Sequence, residues 1–247
     1  MNTHLPLAKL DAIWVYLAAS PLLGLTVTLV AYLIALGIYA RAKHNPLANP
    51  VLIAVAIVVA ALKITNTPYR TYFEGAQFAH FLLGLATVAL ALRLYRQWDK
   101  LKRGALLLLG GLVAGSLTAT VSAVGIARLF GASRQTVASL APKSVTTPIA
   151  MAVAEKVGGI PSLAAVLVIS TGVVGAVSAR WILDIVRLRE AEVRGFAISV
   201  ASHGIGTARA FQVSEEMGAF SGLGMGLNGV FTAFVVPVLL PVILRWL

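Results

Sequence analysis

Seven apolar runs, each close to the length of a membrane-spanning helix, constrain this chain more than any other feature. A spanning helix needs about 20 mostly apolar residues, and each run is bounded by charged residues, Pro or Gly. Of the 247 residues, 59% are hydrophobic and only 12% are charged, which is more apolar than a soluble domain of this size. We therefore predict an all-α polytopic membrane protein. The runs cover residues 22–40, 47–64, 75–95, 104–127, 162–183, 192–212 and 218–244.

Residues 134–157, between the fourth and fifth runs, are too polar for a lipid-facing span. Pro142 and Pro148 exclude a regular helix between them. If this segment returns to the side that it entered, Lys and Arg divide 12 against 6 across the membrane, and if it crosses they divide 8 against 10. The positive-inside rule favours the return. We expect seven full spans, a re-entrant connector, an external N-terminus and a cytoplasmic C-terminus, with Pro237 and Pro241 kinking or breaking the last run.

Internal similarity predicts an inverted repeat. Residues 84–89 resemble 204–209, and residues 104–124 resemble 218–238 with identical residues 114 positions apart. Three spans between equivalent elements would give the halves opposite directions, as in many secondary transporters. Chance similarity between two helices rich in Gly and Ala is the alternative. The expected organisation is an N-terminal segment over 1–21 and a single transmembrane domain over 22–247, with repeat 1 at about 46–130, the re-entrant connector at 134–157 and repeat 2 at about 161–247.

The stretch ASHGIGTARA (201–210) is a polar island inside an apolar run. Ionisable groups are expensive at membrane depth and usually mark a pathway or a site. Gly204 and Gly206 weaken the helix, and a break there frees backbone N–H groups that bind anions. His203 and Thr207 share a helix face, whereas Arg209 joins them only if the helix breaks. The alternative is close helix packing, in which the polar groups bond across the contact.

A second polar island, LAPKSVTTPIAM (140–151), combines hydroxyl groups with a positive charge. Ser144, Thr146 and Thr147 supply hydroxyls, and Lys143 supplies the ammonium; carboxylates and hydroxy acids are bound by such groups. The alternatives are that Lys143 extends to the membrane interface and that the hydroxyls cap a helix beginning near Pro148.

Two residues outside these islands complete the predicted binding set. Asn228 lies in a Gly-rich run, where bridging between helices is equally consistent with the sequence. Thr87 stands in the first-repeat counterpart of the G-x-x-T break.

The sequence argues against an enzyme. No paired carboxylates occur in the apolar runs, the four His are scattered, and Cys is absent, so metal sites and Cys nucleophiles have no basis here. We expect no cofactor and no metal. The net charge of +11 resides in short loops rather than among exposed aromatics, so nucleic acid is not an expected partner.

The LAPKSVTTP (140–148) and SHGIGTAR (202–209) segments, with GGIP (158–161) between them, resemble the LrgB/CidB family of bacterial inner-membrane proteins. The similarity extends from about residue 22 to the C-terminus. Where the family pattern leads us to expect prolines, this chain has Leu85 and Arg93, which puts a broken helix in the first repeat in doubt.

The resemblance implies two functions. One is modulation of murein hydrolase activity and autolysis, as an antiholin-like protein with a small LrgA/CidA-type partner. The other is transport of small carboxylates, because the plastid glycolate/glycerate translocator looks like a fusion of both partners and bacterial relatives are implicated in pyruvate uptake.

The residues favour transport, because a holin-like pore needs only an amphipathic lining whereas this chain has two polar islands. We predict alternating access for a monocarboxylate or 2-hydroxy acid in the inner (plasma) membrane, and we expect a homodimer. Ser144, Thr146 and Thr147 would hold the carboxylate opposite Thr207 and Arg209. His203 is the candidate proton carrier.

Overall fold

The structure is a computed structural model that describes residues 21–76, 92 and 95–246. Every regular element among these residues is helical. They divide into two compact units, with the boundary between residues 89 and 90. The helices are α1 (Pro21–Arg41), α2 (Pro50–Ile64), α3 (Trp98–Leu129), α4 (Arg134–Leu140), α5 (Thr147–Lys156), α6 (Pro161–Ile185), α7 (Ala191–Val213) and α8 (Glu215–Trp246).

The first unit contains α1, α2 and helical residues 69–76. Helices α1 and α2 pack through small apolar side chains, including Ala31, Ala35 and Ala54. The Asn49 side chain begins α2 by accepting a hydrogen bond from the Val51 N–H at 2.9 Å, as expected of a helix N-cap.

Helices α3 and α8 of the second unit run in the same direction. Near their starts Lys100 pairs with Glu216, and near their ends Val124 packs in one cluster with Val236. The expectation that 104–124 and 218–238 belong to oppositely directed halves is therefore wrong. The residues that are similar at a spacing of 114 lie on parallel, neighbouring helices.

Helix α8 continues through Pro237 and Pro241 without a break, so of the two expected outcomes, a kink or a break, the break does not occur. Prolines are tolerated in membrane helices because neighbouring helices and local adjustments satisfy the freed carbonyls.

Residues 134–156 form the first fold-back. Helix α4 ends at Leu140, and α5 begins at Thr147 after an irregular turn, which confirms the predicted irregular backbone between Pro142 and Pro148. The two helices lie side by side, because Val137 and Val153 share one core cluster. Ile149, near the tip, lies beside Gly229 of α8. Val137 and Val153, one in each helix, lie in one cluster with Val236 and Leu240, which are further along α8. The chain therefore leaves this segment at the end where it entered.

Residues 191–213 form the second fold-back, because α7 is interrupted at His203. The backbone there has φ 43° and ψ −134°, a conformation that normally requires glycine. A methyl group built on Gly206 would lie 2.8 Å from the Ile198 carbonyl oxygen, whereas a straight helix separates residues eight apart by about 12 Å along its axis. The chain therefore reverses sharply.

Contacts with α8 confirm the reversal. The first limb (191–202) meets later residues of α8 as it proceeds, whereas the second limb (204–213) meets earlier ones. The expectation that 192–212 is one of seven full spans is therefore wrong, because hydropathy records composition and not direction. The contacts of the first limb pair Gly195 with Met217, Ser199 with Gly224 and Val200 with Asn228; those of the second pair Gly204 with Met225, Thr207 with Ser221 and Phe211 with Gly218.

The fold-backs enter the second unit from opposite ends. One end of the second unit, which we call the basic end, contains the first residues of α3, α7 and α8 and the last residues of α6. There Asp184 accepts a hydrogen bond from Arg194 at 2.7 Å, and Gly195 lies against Met217. The first fold-back instead follows the far end of α3. The tips of the two fold-backs therefore approach each other about halfway along the helices of the second unit.

Candidate functional site

Asn228 joins the tips of the two fold-backs. Its side-chain N–H groups donate to the Ser144 carbonyl at 3.0 Å and to the Val200 carbonyl at 3.1 Å. Its side-chain oxygen accepts from the Ser116 hydroxyl on α3. Asn228 is only 1% exposed, and both of its side-chain N–H groups donate to protein carbonyls. This favours the helix-bridging interpretation of Asn228 over direct ligand binding.

Beside this junction lies an open cavity of about 400 Å³, which we call the central cavity. The first fold-back contributes Lys143 and Ser144, the second contributes Ala201 and Ser202, and α6 forms the opposing wall. The structure thus brings the two polar islands of the sequence to one cavity. Its lining residues are Ala119, Lys143, Ser144, Leu167, Ser170, Thr171, Val174, Gly175, Ala201 and Ser202.

Lys143 gives the central cavity a positive charge. Its ammonium donates to the Ser144 hydroxyl at 3.2 Å, and no carboxylate is among the lining residues. An ammonium has three donors and no acceptor, so further donors remain for a bound molecule. The arrangement suits a small anion.

His203 holds the break in α7 instead of lining the cavity. Its Nε2 lies 2.9 Å from the Val168 carbonyl oxygen on α6, and the residue is 4% exposed. Gly172 makes this approach feasible, because a methyl group there would lie 2.7 Å from His203 Nε2. The geometry supports a positioning role for His203.

Thr207 and Arg209 lie on the second limb and face other partners. The Thr207 hydroxyl donates to the His203 carbonyl at 2.9 Å and accepts from the Ser221 hydroxyl at 3.1 Å. The buried Arg209 donates to the Gln212 side chain at 3.1 Å. Neither residue is among the lining residues of the central cavity, so their binding of a carboxylate opposite Ser144 stays a prediction. The reversal at His203 directs the second limb back towards the basic end.

The other predicted residues lie at or near the breaks. Gly204 and Gly206 follow the reversal, and only Gly206 is closely packed, against Ile198 and Ser202. Thr146 and Thr147 begin α5, are partly buried and do not line the central cavity. Thr87 lies outside the described residues, as do Leu85 and Arg93.

Three lining hydroxyl residues escaped the sequence prediction: Ser170, Thr171 and Ser202. Ser170 and Thr171 form an adjacent polar pair in the middle of an apolar run. The criterion applied to the two islands, polar groups at membrane depth, would have found them. Ser202 lies in the island 201–210, directly before His203, so its place in that island is the sequence signal for it.

Apolar helices packed around two broken segments define an integral membrane protein of the all-helical class, since irregular backbone at membrane depth must be surrounded by protein or face a cavity. The chain belongs to the LrgB-like family, which it matches over residues 28–242.

Several relatives align over nearly their whole length. The uncharacterized protein YxaC of Bacillus subtilis is 34% identical over 210 residues, covering 85% of this chain and 91% of YxaC. The holin-like protein CidB of Staphylococcus epidermidis is 30% identical over 218 residues, covering 88% and 95%. The antiholin-like protein LrgB of Bacillus mycoides is 30% identical over 224 residues, covering 91% and 97%. No solved structure matches the chain significantly.

Proposed function

We propose that this chain is a holin-like or antiholin-like protein of the bacterial inner membrane that modulates murein hydrolase activity and autolysis together with a small LrgA/CidA-type partner. The observation that carries this proposal is 30% identity to both CidB and LrgB over about nine-tenths of each chain. We propose no enzymatic activity for this chain itself.

The central cavity favours a second, more specific function: transport of small monocarboxylates or 2-hydroxy acids by alternating access. Its support is the meeting of two fold-backs at one cavity with a single cationic lining residue, Lys143. Broken helices that meet near the midplane are typical of secondary transporters. A pore would need a continuous polar lining, whereas the junction at Asn228, beside this cavity, is buried and hydrogen-bonded within the protein.

We propose that the inverted halves are α3 with the first fold-back and α6 with the second. Helix α3 leaves the basic end, and its fold-back starts and finishes at the opposite end; α6 and its fold-back do the reverse. These boundaries replace those suggested by the similarity of 104–124 to 218–238. A rotation of one half against the other would open the central cavity to each side in turn.

The proposed membrane orientation places the basic end in the cytoplasm, by the positive-inside rule. Helices α1, α3, α6 and α8 have the length and composition of spans, whereas α7 is not among the qualifying helices of the described chain. The end of α8 then lies outside, in contrast to the cytoplasmic C-terminus expected from seven spans. Basic residues at the cytoplasmic end of the second unit are Arg96, Lys100, Lys102, Arg103, Arg180, Arg187, Arg189 and Arg194; those at the other end are Arg128, Arg134, Lys156 and Arg245.

Counterflow in liposomes tests both functions. Labelled glycolate, lactate or pyruvate is followed in vesicles that contain this chain alone and then with a small LrgA/CidA-type partner. Saturable exchange supports a carrier, and leakage of unrelated solutes without saturation supports a pore. If neither occurs, a regulatory role in autolysis is favoured.

Two variants sharpen the transport arm. Lys143→Gln removes the cavity charge, and the exposed Lys156 at the end of α5 offers Lys156→Gln as its matched control. A carrier predicts loss of exchange in the first variant only. Equal exchange in both would reject binding at Lys143. A homodimer is the assembly that we propose for a carrier, and sedimentation of the purified chain tests it.

A further inference from the structure

Three hydroxyl groups of the central cavity have no hydrogen-bond partner among the described residues: those of Ser170, Thr171 and Ser202. Helical Ser and Thr commonly donate to the carbonyl four residues earlier. Elsewhere in this unit Ser178 does so, at 2.7 Å to Val174. Ser202 is the least expected case, because it is only 1% exposed. No fully buried side-chain oxygen of the described residues lacks a hydrogen-bond partner, so the small exposed part of Ser202 includes its hydroxyl, which is available to a ligand in the cavity.

The position of Ser202 is fixed by its neighbours. It directly precedes His203, whose ring lies on the Val168 carbonyl oxygen. Its side chain packs onto Gly175 of α6, where any added methyl group would collide with it. Gly175 lies one helical turn after Thr171, on the same helix face. The three hydroxyls therefore form one wall of the central cavity, which we call the hydroxyl wall (Ser170, Thr171 and Ser202).

We propose that the hydroxyl wall recognises a neutral hydroxyl group on the same small anion whose charge is held by Lys143. The inference rests on the proposed transport of small carboxylates, because it divides recognition of that substrate between two groups of residues. It assigns to α6 a specificity role and leaves charge recognition to the first fold-back.

Donor and acceptor chemistry supports this division. An ammonium only donates, so it serves a carboxylate; a Ser or Thr hydroxyl both donates and accepts, so it can serve a ligand hydroxyl in either role. A site that hydrogen-bonds a substrate hydroxyl discriminates against the analogue that lacks it, because the polar groups of the site are then left unpaired.

Isothermal titration calorimetry of the purified full-length chain tests the wall, with lactate and propionate as probes. These acids have the same charge and carbon number and differ in one hydroxyl. We expect the wild type to prefer lactate by about tenfold, the effect of one or two hydrogen bonds. Ser170→Ala/Thr171→Val/Ser202→Ala should abolish that preference, because it weakens lactate binding more than the binding of propionate, which has no hydroxyl for the wall. Ser178→Ala, on the same helix and outside the cavity, is the matched control.

Lys143→Gln should weaken both acids alike, by about tenfold or more, because it removes a hydrogen bond to a charged group. Should the triple variant fail to fold, the exposed Ser170 allows the single change Ser170→Ala, for which about a fivefold loss of preference is expected.

Three results would overturn the proposal. The wild type could bind both acids equally, it could bind neither, or the wall variant could weaken the binding of both acids equally. Lactate-selective binding without counterflow would reject transport and retain the wall. Counterflow with an unchanged lactate preference in the wall variant would reject the wall and retain transport.

Discussion

Replacing Asn228 by Ala should destabilise the second unit more than any other single loss of a polar side chain at the junction. Asn228 makes three close hydrogen bonds, two to the fold-back tips and one to Ser116 on α3. Inter-helix hydrogen bonds in membrane proteins average about 0.6 kcal/mol, and those in soluble proteins about 1 kcal/mol. Three such bonds give about 2–3 kcal/mol for Asn228→Ala.

The assay is reversible unfolding of the purified chain in mixed micelles of increasing SDS content. Thr232→Val is the control, because Thr232 reaches Asn228 only at 3.5 Å and should cost less than about 0.5 kcal/mol. A double-mutant cycle with Ser116→Ala isolates one bond and should show coupling of about 0.6–1 kcal/mol. A cost below about 0.5 kcal/mol for Asn228→Ala, with full additivity in the cycle, would refute the bridging role.

Three further predictions concern the reversal at His203. Gly172→Ala should cost about 1–3 kcal/mol by overpacking against His203, whereas Gly110→Ala, where nothing lies within 4 Å, should be neutral or stabilising; equal stability of the two variants in SDS unfolding would contradict this contact. His203→Gly should be more stable than His203→Ala by about 1 kcal/mol, because both lose the bond to Val168 but only Gly relieves the backbone strain; the reverse order in thermal unfolding would show that the backbone is unstrained. The chain has no native Cys, so a single introduced cysteine reports on which side of the membrane its position lies. Glu190→Cys and Val213→Cys should react with an impermeant thiol reagent from one side, and Ser133→Cys and Lys156→Cys should react from the other side. Labelling of residues 190 and 213 from opposite sides would rule out the second fold-back.

The positions of the breaks follow from local chemistry, which is why they could be predicted. Pro142 and Pro148 remove backbone donors and exclude helical geometry, so the interruption between α4 and α5 needs no long-range information. Gly204 and Gly206 likewise weaken the helix beside His203. The break occurs at His203 itself because the bond to Val168 and the space above Gly172 hold a conformation that histidine does not prefer.

The partners of the polar side chains could not be predicted in the same way. Ser144 and Ser202 reach the central cavity, whereas Thr207 and Arg209 do not, although all four lie in the predicted islands. Which residues face the cavity depends on the angle of the reversal, and that angle is set by packing against α6 and α8. Asn228 acts as a bridge for the same reason, since its carbonyl partners lie 84 and 28 residues away.

The sequence by itself determined the membrane environment of this protein, its helical class and the two places where helices break. The reason is that the length of an apolar run and the effects of proline and glycine on a helix are properties of a short stretch of chain. The tertiary structure alone decided that α7 turns back, that α3 and α8 run parallel, and which hydroxyls face Lys143. Hydropathy describes the composition of a segment. The direction in which a helix runs and the side chains that it turns towards a cavity are set only when segments distant in the chain pack together and satisfy each other's hydrogen bonds.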